Sequence, residues 1–271
     1  MRVFIIILLV SISFFGKAQD YEVAPTQLIY RVNPGDSEEK IVTVTNHASV
    51  KQSFSFVFAD YTIDIHGNKH MMEKNSTRFS CAAWMQPEMN FIVLNPNESR
   101  AIKIKMDVPN DDLSTRWATL YLQTSQEQTT FNADKSSVSA GVSVGTRISI
   151  QVFRFPINIP DPVINISRLK QADHSVGEER EFTALVENTG VSLENCKITF
   201  VTLNLKTAEK KAFKPIVVDV YPGFPRLVRF QLPESLPSGE YALSAILDYG
   251  DKNVLEGTRM KTKLIVDKTN E

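Results

Sequence analysis

The sequence offers little for metal, thiol or phosphate chemistry. Histidine occurs four times and cysteine twice in 271 residues. Asp64, His66 and His70 are the nearest approach to a ligand set. Asp64-Ile65-His66-Gly67-Asn68 has the composition of a β-turn, however, and it supplies no third and fourth ligand. His47 and His174 fall in polar turns. The letters G-x-S-x-G at Gly141 to Gly145 fall inside a strand-like alternation. No Ser/His/Asp order with a strained G-x-S-x-G elbow appears, and there is no glycine-rich phosphate loop, so catalytic, cofactor-binding and metal residues are none and no enzyme is expected. Cys81 and Cys196 lie far apart with no histidine or basic cluster beside them, which points to two buried thiols and not to a reactive one. Trp84, just after Cys81, reads as a core plug under a loop.

Charge of one sign is missing too. Lysine plus arginine total 30 against 31 acids, which excludes a strong electrostatic case for nucleic acid or an anionic membrane surface. Long hydrophobic runs are absent apart from Val3 to Phe15, which falls short of the roughly 20 residues of a spanning helix. Preceded by Arg2 and followed by Gly16-Lys17-Ala18, that block has the layout of a secretory signal peptide, residues 1–18. The protein is therefore expected to be exported and soluble, with no membrane insertion once the leader is removed.

What the sequence does have is alternation. From Val138 to Pro156 the even positions read Val138, Ala140, Val142, Val144, Thr146, Ile148, Ile150, Val152. The odd ones read Ser139, Gly141, Ser143, Gly145, Arg147, Ser149, Gln151. Period-two alternation gives a strand one apolar and one polar face. The run is about three times the usual strand length of roughly 5–6 residues. A strand that long is expected to leave part of itself as an open edge, able to capture another chain by strand addition. Val142, Val144, Thr146 and Ile148 would then enter a client's pockets.

Upstream, strand-like segments follow one another between turns: Tyr21 to Val32, Lys40 to Thr45, Ser53 to Ile65, Phe91 to Leu94, Ala101 to Val108 and Arg116 to Thr124. Ser125 to Ser137 is polar and reads as a loop. Pro156 to Val163, P-I-N-I-P-D-P-V, reads as a stiff linker, since proline cannot donate to a ladder. Beyond it come Val163 to Arg168, Glu181 to Glu187, Lys197 to Thr202, Ile216 to Val220, Arg226 to Gln231, Tyr241 to Asp248 and Thr258 to Val266. Short strands at regular turn spacing predict an all-β protein with two immunoglobulin-like β-sandwich domains in tandem, residues 19–157 and 158–271.

Four pieces of the first domain resemble one family in order. Thr26-Gln27-Leu28-Ile29-Tyr30 followed by Pro34-Gly35 resembles its opening T-R-V-I-Y and turn, and Val42 to Asn46 its second strand. Phe91 to Pro96 with Ile102-Lys103-Ile104 resembles its mid-domain strand pair. Ile150-Gln151-Val152-Phe153-Arg154-Phe155-Pro156 aligns without gaps on its I-K-L-F-Y-R-P. The family is that of the periplasmic pilus (fimbrial) chaperones of the PapD type, which this chain resembles as a divergent member.

The resemblance implies a periplasmic chaperone-like protein that caps surface-fibre subunits by donating the last strand of its first domain. Its partners would be a pilus or other surface-fibre subunit and an outer-membrane assembly protein. A non-catalytic envelope scaffold or adhesion-type module is the alternative. Chaperones of the family grip a client's terminal carboxylate with two cations. Gln27 and Gln151 stand at those places here, and a neutral amide binds a carboxylate more weakly than a cation does. The resemblance then leaves two options: Arg31 or Arg147, on the same strand faces by parity, holds the client, or the client has no carboxylate there.

Overall fold

The computed structural model describes residues 20–124, 146–158, 160–172, 180–233, 235–250 and 255–264. No α-helix occurs among them, and a single 3-10 turn, Ala82–Trp84, interrupts the strands. The first half of the chain forms β1 (Tyr21–Ala24), β2 (Gln27–Arg31), β3 (Ser37–Asn46), β4 (Gln52–Ile63), β5 (Lys69–Met72), β6 (Met85–Pro87), β7 (Phe91–Leu94), β8 (Ser99–Asp107), β9 (Arg116–Thr124) and β10 (Arg147–Phe155). They build two facing sheets, one ordered β1-β3-β8-β6 and the other β2-β10-β9-β4-β5 with β7 also on β4.

The second half forms β11 (Ile164–Gln171), β12 (Glu181–Asn188), β13 (Glu194–Asn204), β14 (Lys210–Ala212), β15 (Ile216–Val220), β16 (Arg226–Gln231), β17 (Gly239–Asp248) and β18 (Glu256–Leu264). Its sheets run β11-β12-β16 and β14-β13-β17-β18, with β15 also on β13. The all-β architecture of two tandem sandwiches follows from the alternating patterns. Phe54, Phe56 and Phe58 of β4 all face one core, as their spacing requires.

Tyr21 to Val32, which reads as one strand in the sequence, is two. β1 pairs antiparallel with β3 in one sheet, whereas β2 pairs parallel with β10 in the other. The buried positions change phase to match: Tyr21 and Val23 before the crossing, Leu28, Tyr30 and Val32 after it. Pro25, with no N–H to give a ladder, sits between the two phases. The short strands β5 and β6 had no sequence signal, being too brief to show a period.

Both sandwiches close a loop with a buried asparagine. Asn46 Nδ2 donates to the carbonyls of Val50, Leu94 and Asn95 at 2.9, 3.2 and 3.0 Å, and its Oδ1 accepts from the Ala48 N–H. Asn188 Nδ2 donates to the carbonyls of Ser192 and Val220 at 2.7 and 2.9 Å, and its Oδ1 accepts from the Gly190 N–H. In each case one amide satisfies backbone groups that would otherwise be buried without partners. Both cysteines are unpaired and buried, one in each core.

The two sandwiches meet through aromatic rings. Tyr61, Ile63, Trp117 and Phe153 of the first pack with Tyr221 of the second. Trp117 and Tyr221 stand edge to face at 5.0 Å, and Phe79 stacks on Trp117 at 4.7 Å. Trp117 donates its indole N–H to the Tyr61 carbonyl at 3.1 Å, so the buried ring leaves no orphan donor. Backbone bonds cross as well, from Thr115 N–H to Val191 O at 2.8 Å and from Leu227 N–H to Ile65 O at 2.7 Å. No helix among the described residues is long and apolar enough to cross a membrane.

Candidate functional site: the edge of strand β10

Strand β10 is flanked unequally along its length. β9 runs beside it from Arg147 to Arg154, while β2 covers only Gln151 to Phe155 on the other side. Gln151 donates its N–H to Thr26 O at 2.9 Å, so the odd residues of β10 aim their backbone groups toward β2. The even residues aim theirs at β9, as the Thr124 N–H to Thr146 O bond at 3.2 Å shows. By the two-residue period, the N–H and C=O of Arg147 and Ser149 point to the side where β2 has already ended. Among the described residues no strand lies beyond them. Among the described residues, the first sandwich thus has an open edge two residues above the end of its parallel pair.

Side chains of this edge divide by parity. Ile150 and Val152 are sealed in the first core, and Ile148 is half-buried against it. Thr146 is exposed where the described strand begins. Val142 and Val144 lie outside the described residues, as does the rest of the run before Thr146. On the opposite face Arg147 lies over the Tyr121 ring at 4.3 Å, with exposed Ser149 and half-buried Gln151 following. Phe153 is next on that face and belongs to the aromatic joint with the second sandwich. The face therefore descends directly from the open edge into the junction of the two sandwiches.

Gln27 and Gln151 are direct neighbours across the parallel pair. Arg31 and Arg147 share their face but lie four residues away in opposite directions, roughly 26 Å apart at about 3.3 Å per residue. Arg31 sits 5.7 Å from the centre of the Phe155 ring, so each cation is held by a different aromatic. The four side chains form no single anchor: two glutamines are paired across the ladder, and a lone cation stands at either end.

One cluster went unremarked in the sequence. Arg154 is fully buried, donating from Nε to Val32 O at 3.0 Å and from Nη1 to Ser114 O at 2.8 Å and Asp112 Oδ1 at 3.3 Å. Burial lowers its pKa from the ordinary guanidinium value, and Asp112 opposes that shift. Asp112 also receives Arg116 Nε at 2.8 Å and Arg116 Nη2, so one carboxylate serves two arginines. Nη2 of Arg154 has no hydrogen-bond partner among the described residues. A signal was present: Arg154 occupies an even position, the apolar parity of its strand, where a charge has to be accounted for. Asp64, by contrast, spends its carboxylate on its own turn, accepting from the N–H groups of His66 and Asn68 and from the Asn68 and His70 side chains.

No family model matches the chain, and no curated protein does. Among solved structures it is similar to the class 5 fimbriae chaperone CfaA, at 12% identity over 90% of this chain and 100% of that one, with a TM-score of 0.46. It is similar to the E. coli chaperone DraB at 12% identity, 90% and 98% coverage and a TM-score of 0.42. A chain of the CsuC–CsuE chaperone–tip adhesion subunit complex of Acinetobacter baumannii gives 12% identity, 90% and 98% coverage and a TM-score of 0.44.

Proposed function

We propose that this chain is a chaperone-like protein of the cell envelope that captures an extended segment of a client polypeptide along the open edge of β10. The observation that carries the reading is the pair of outward-facing backbone groups at Arg147 and Ser149, with no neighbouring strand among the described residues. Strand addition there gives main-chain hydrogen bonds, while the adjoining apolar positions supply the pocket-filling side chains. Covering a client's exposed edge in this way keeps it from pairing with its own kind. Thr146 and Ile148, continued by Val142 and Val144, are the donor positions. Ile148 retains contact with its own core and offers a client only part of its side chain.

The client we propose is a surface-fibre subunit, a choice that rests on the sequence resemblance, with an outer-membrane assembly protein as the next partner. Export through a leader at residues 1–18 into the periplasm, with the division between sandwiches at 157/158, belongs to the same reading. Gln27 and Gln151 then offer a neutral hydrogen-bonding pair to the client's backbone at the foot of the edge, and Arg147 and Arg31 act singly.

Ser149→Pro tests the edge directly. Proline removes the outward N–H without touching the bonds to β9, a place where sheets tolerate it. Hydrogen exchange is followed on the wild-type protein co-exported with a fibre subunit: Arg147 and Ser149 slow when the subunit is present. S149P loses co-purification of the subunit by at least roughly tenfold while its thermal midpoint stays near wild type. Unchanged co-purification with S149P, or exchange at these amides indifferent to the subunit, rejects strand capture and favours a static scaffold binding through loops.

A further inference from the structure

The two sandwiches leave between them a groove of about 330 Å³ whose walls carry two arginines and no acidic side chain. Arg78 and Arg116 come from the first sandwich, together with Ser114, while Gly190 and Gly223 come from the second. Arg78 lies over the Phe79 ring at 4.6 Å, and Phe79 in turn stacks on Trp117. With one face of the guanidinium on a ring, its in-plane donors are directed outward. Among the described residues no carboxylate pairs with Arg78. Gly223, at φ +75°, keeps the approach open: a Cβ there would stand 2.9 Å from Arg78 Nη2.

Charge behind the wall adds to this. Arg116 is clamped through Nε and Nη2 to Asp112, the same carboxylate that Arg154 uses. Arg154 lies directly behind Ser114, holding its carbonyl at 2.8 Å, and its Nη2 is buried without a partner among the described residues. Two guanidinium groups, Arg116 and Arg154, therefore share one carboxylate, while Arg78 has none among the described residues, around a groove partly shielded from water, where electrostatic interactions are screened less than on an open surface.

We propose that this groove binds a small oxyanion, a carboxylate or a phosphate or sulfate group, gripped between Arg78 and Arg116. Planar guanidinium forks suit such oxygens better than they suit chloride. Because both sandwiches wall the groove, an occupant ties one to the other. The inference is independent of strand capture at β10.

The chain contains two tryptophans, and both report on this site. Trp117 carries Phe79 and Arg78, and Arg116 lies 5.6 Å from the Trp84 ring centre. Purified protein is titrated with sodium phosphate, sulfate and acetate in turn, at constant ionic strength held with chloride, while tryptophan fluorescence and thermal midpoint are followed. A saturable fluorescence change with a rising midpoint is expected for at least one anion. Saturation with acetate assigns a carboxylate site, and saturation with the tetrahedral anions alone assigns a phosphate or sulfate site. Arg78→Gln weakens binding by roughly tenfold or more, whereas Arg259→Gln, on β18 of the second sandwich, leaves it unchanged. Arg116→Gln also breaks the Asp112 pair, so R78Q is the deciding variant. A linear, unsaturable response to all three anions overturns the proposal, as does saturation that is the same in R78Q and wild type.

Discussion

The two sandwiches end their sheets differently. In the second, β18 ends the hydrogen-bonded order of its sheet, paired to β17 from Glu256 to Leu264 with no further strand bonded to it among the described residues. Its exposed positions include Arg259, Lys261 and Lys263, a row of like charges that discourages another strand from docking. In the first, the uncovered stretch of β10 has Ser149 and one cation, Arg147, which is drawn over Tyr121. One edge is guarded by charge, and the other is left approachable. Edges in the same molecule, formed by the same alternation, are thus treated in opposite ways, and the untreated one is the candidate for function.

The sandwiches agree in their asparagine plugs. Asn46→Ala and Asn188→Ala remove equivalent plugs, each stranding buried carbonyls, and each should cost about 3 kcal/mol. Denaturant unfolding of both variants measures this. A large loss for one and none for the other would show that the sandwiches are not built on the same internal rule.

Exchanging the edge chemistry should break the difference. Replacing Arg259, Lys261 and Lys263 together by Thr keeps strand propensity but removes the guard, and the variant is expected to self-associate at concentrations where wild type does not. Ser149→Lys is the reverse change and should weaken client capture by roughly tenfold. Analytical ultracentrifugation reads the first and subunit co-purification the second. A monomeric triple variant would mean that lysines are not what protects β18.

The smallest effect concerns the thiols. Burial pushes Cys196 up to about 12 and raises Cys81 as well. At pH 8 only about one Cys196 thiol in ten thousand is then ionised. Native protein should show no measurable labelling by a disulfide reagent, and both thiols should appear together on unfolding. Labelling of one thiol in the folded state would reveal that its sandwich opens locally.

Much of this architecture is legible in the alternation. Ser53 to Ile65 and Arg116 to Thr124 become β4 and β9 nearly as their patterns run. Alternation, however, names faces and not neighbours. It put Ile150 and Val152 on the apolar face of their strand, but it could not say where β2 stops alongside β10, which leaves Arg147 and Ser149 without a β2 partner. It placed Gln27 with Arg31 and Gln151 with Arg147, each pair on one face of its own strand, without the register that sets the two glutamines side by side. Trp117, Phe153 and Tyr221 converge only where the two sandwiches touch, and no local spacing encodes that meeting. Arg154 was the exception, a visible breach of its own strand's pattern whose explanation had to await Asp112, 42 residues upstream.

The crossing at Pro25 has a quantitative consequence. Because the chain leaves the first sheet there and joins β10 only from Gln27 onward, the position of this one residue meters how much of β10 is left bare. Sliding the crossing two residues earlier would cover one more rung of the ladder, about 7 Å of strand; sliding it later would bare another. The opening segment of the protein works as a shutter of fixed width on a strand that lies more than a hundred residues further along the chain.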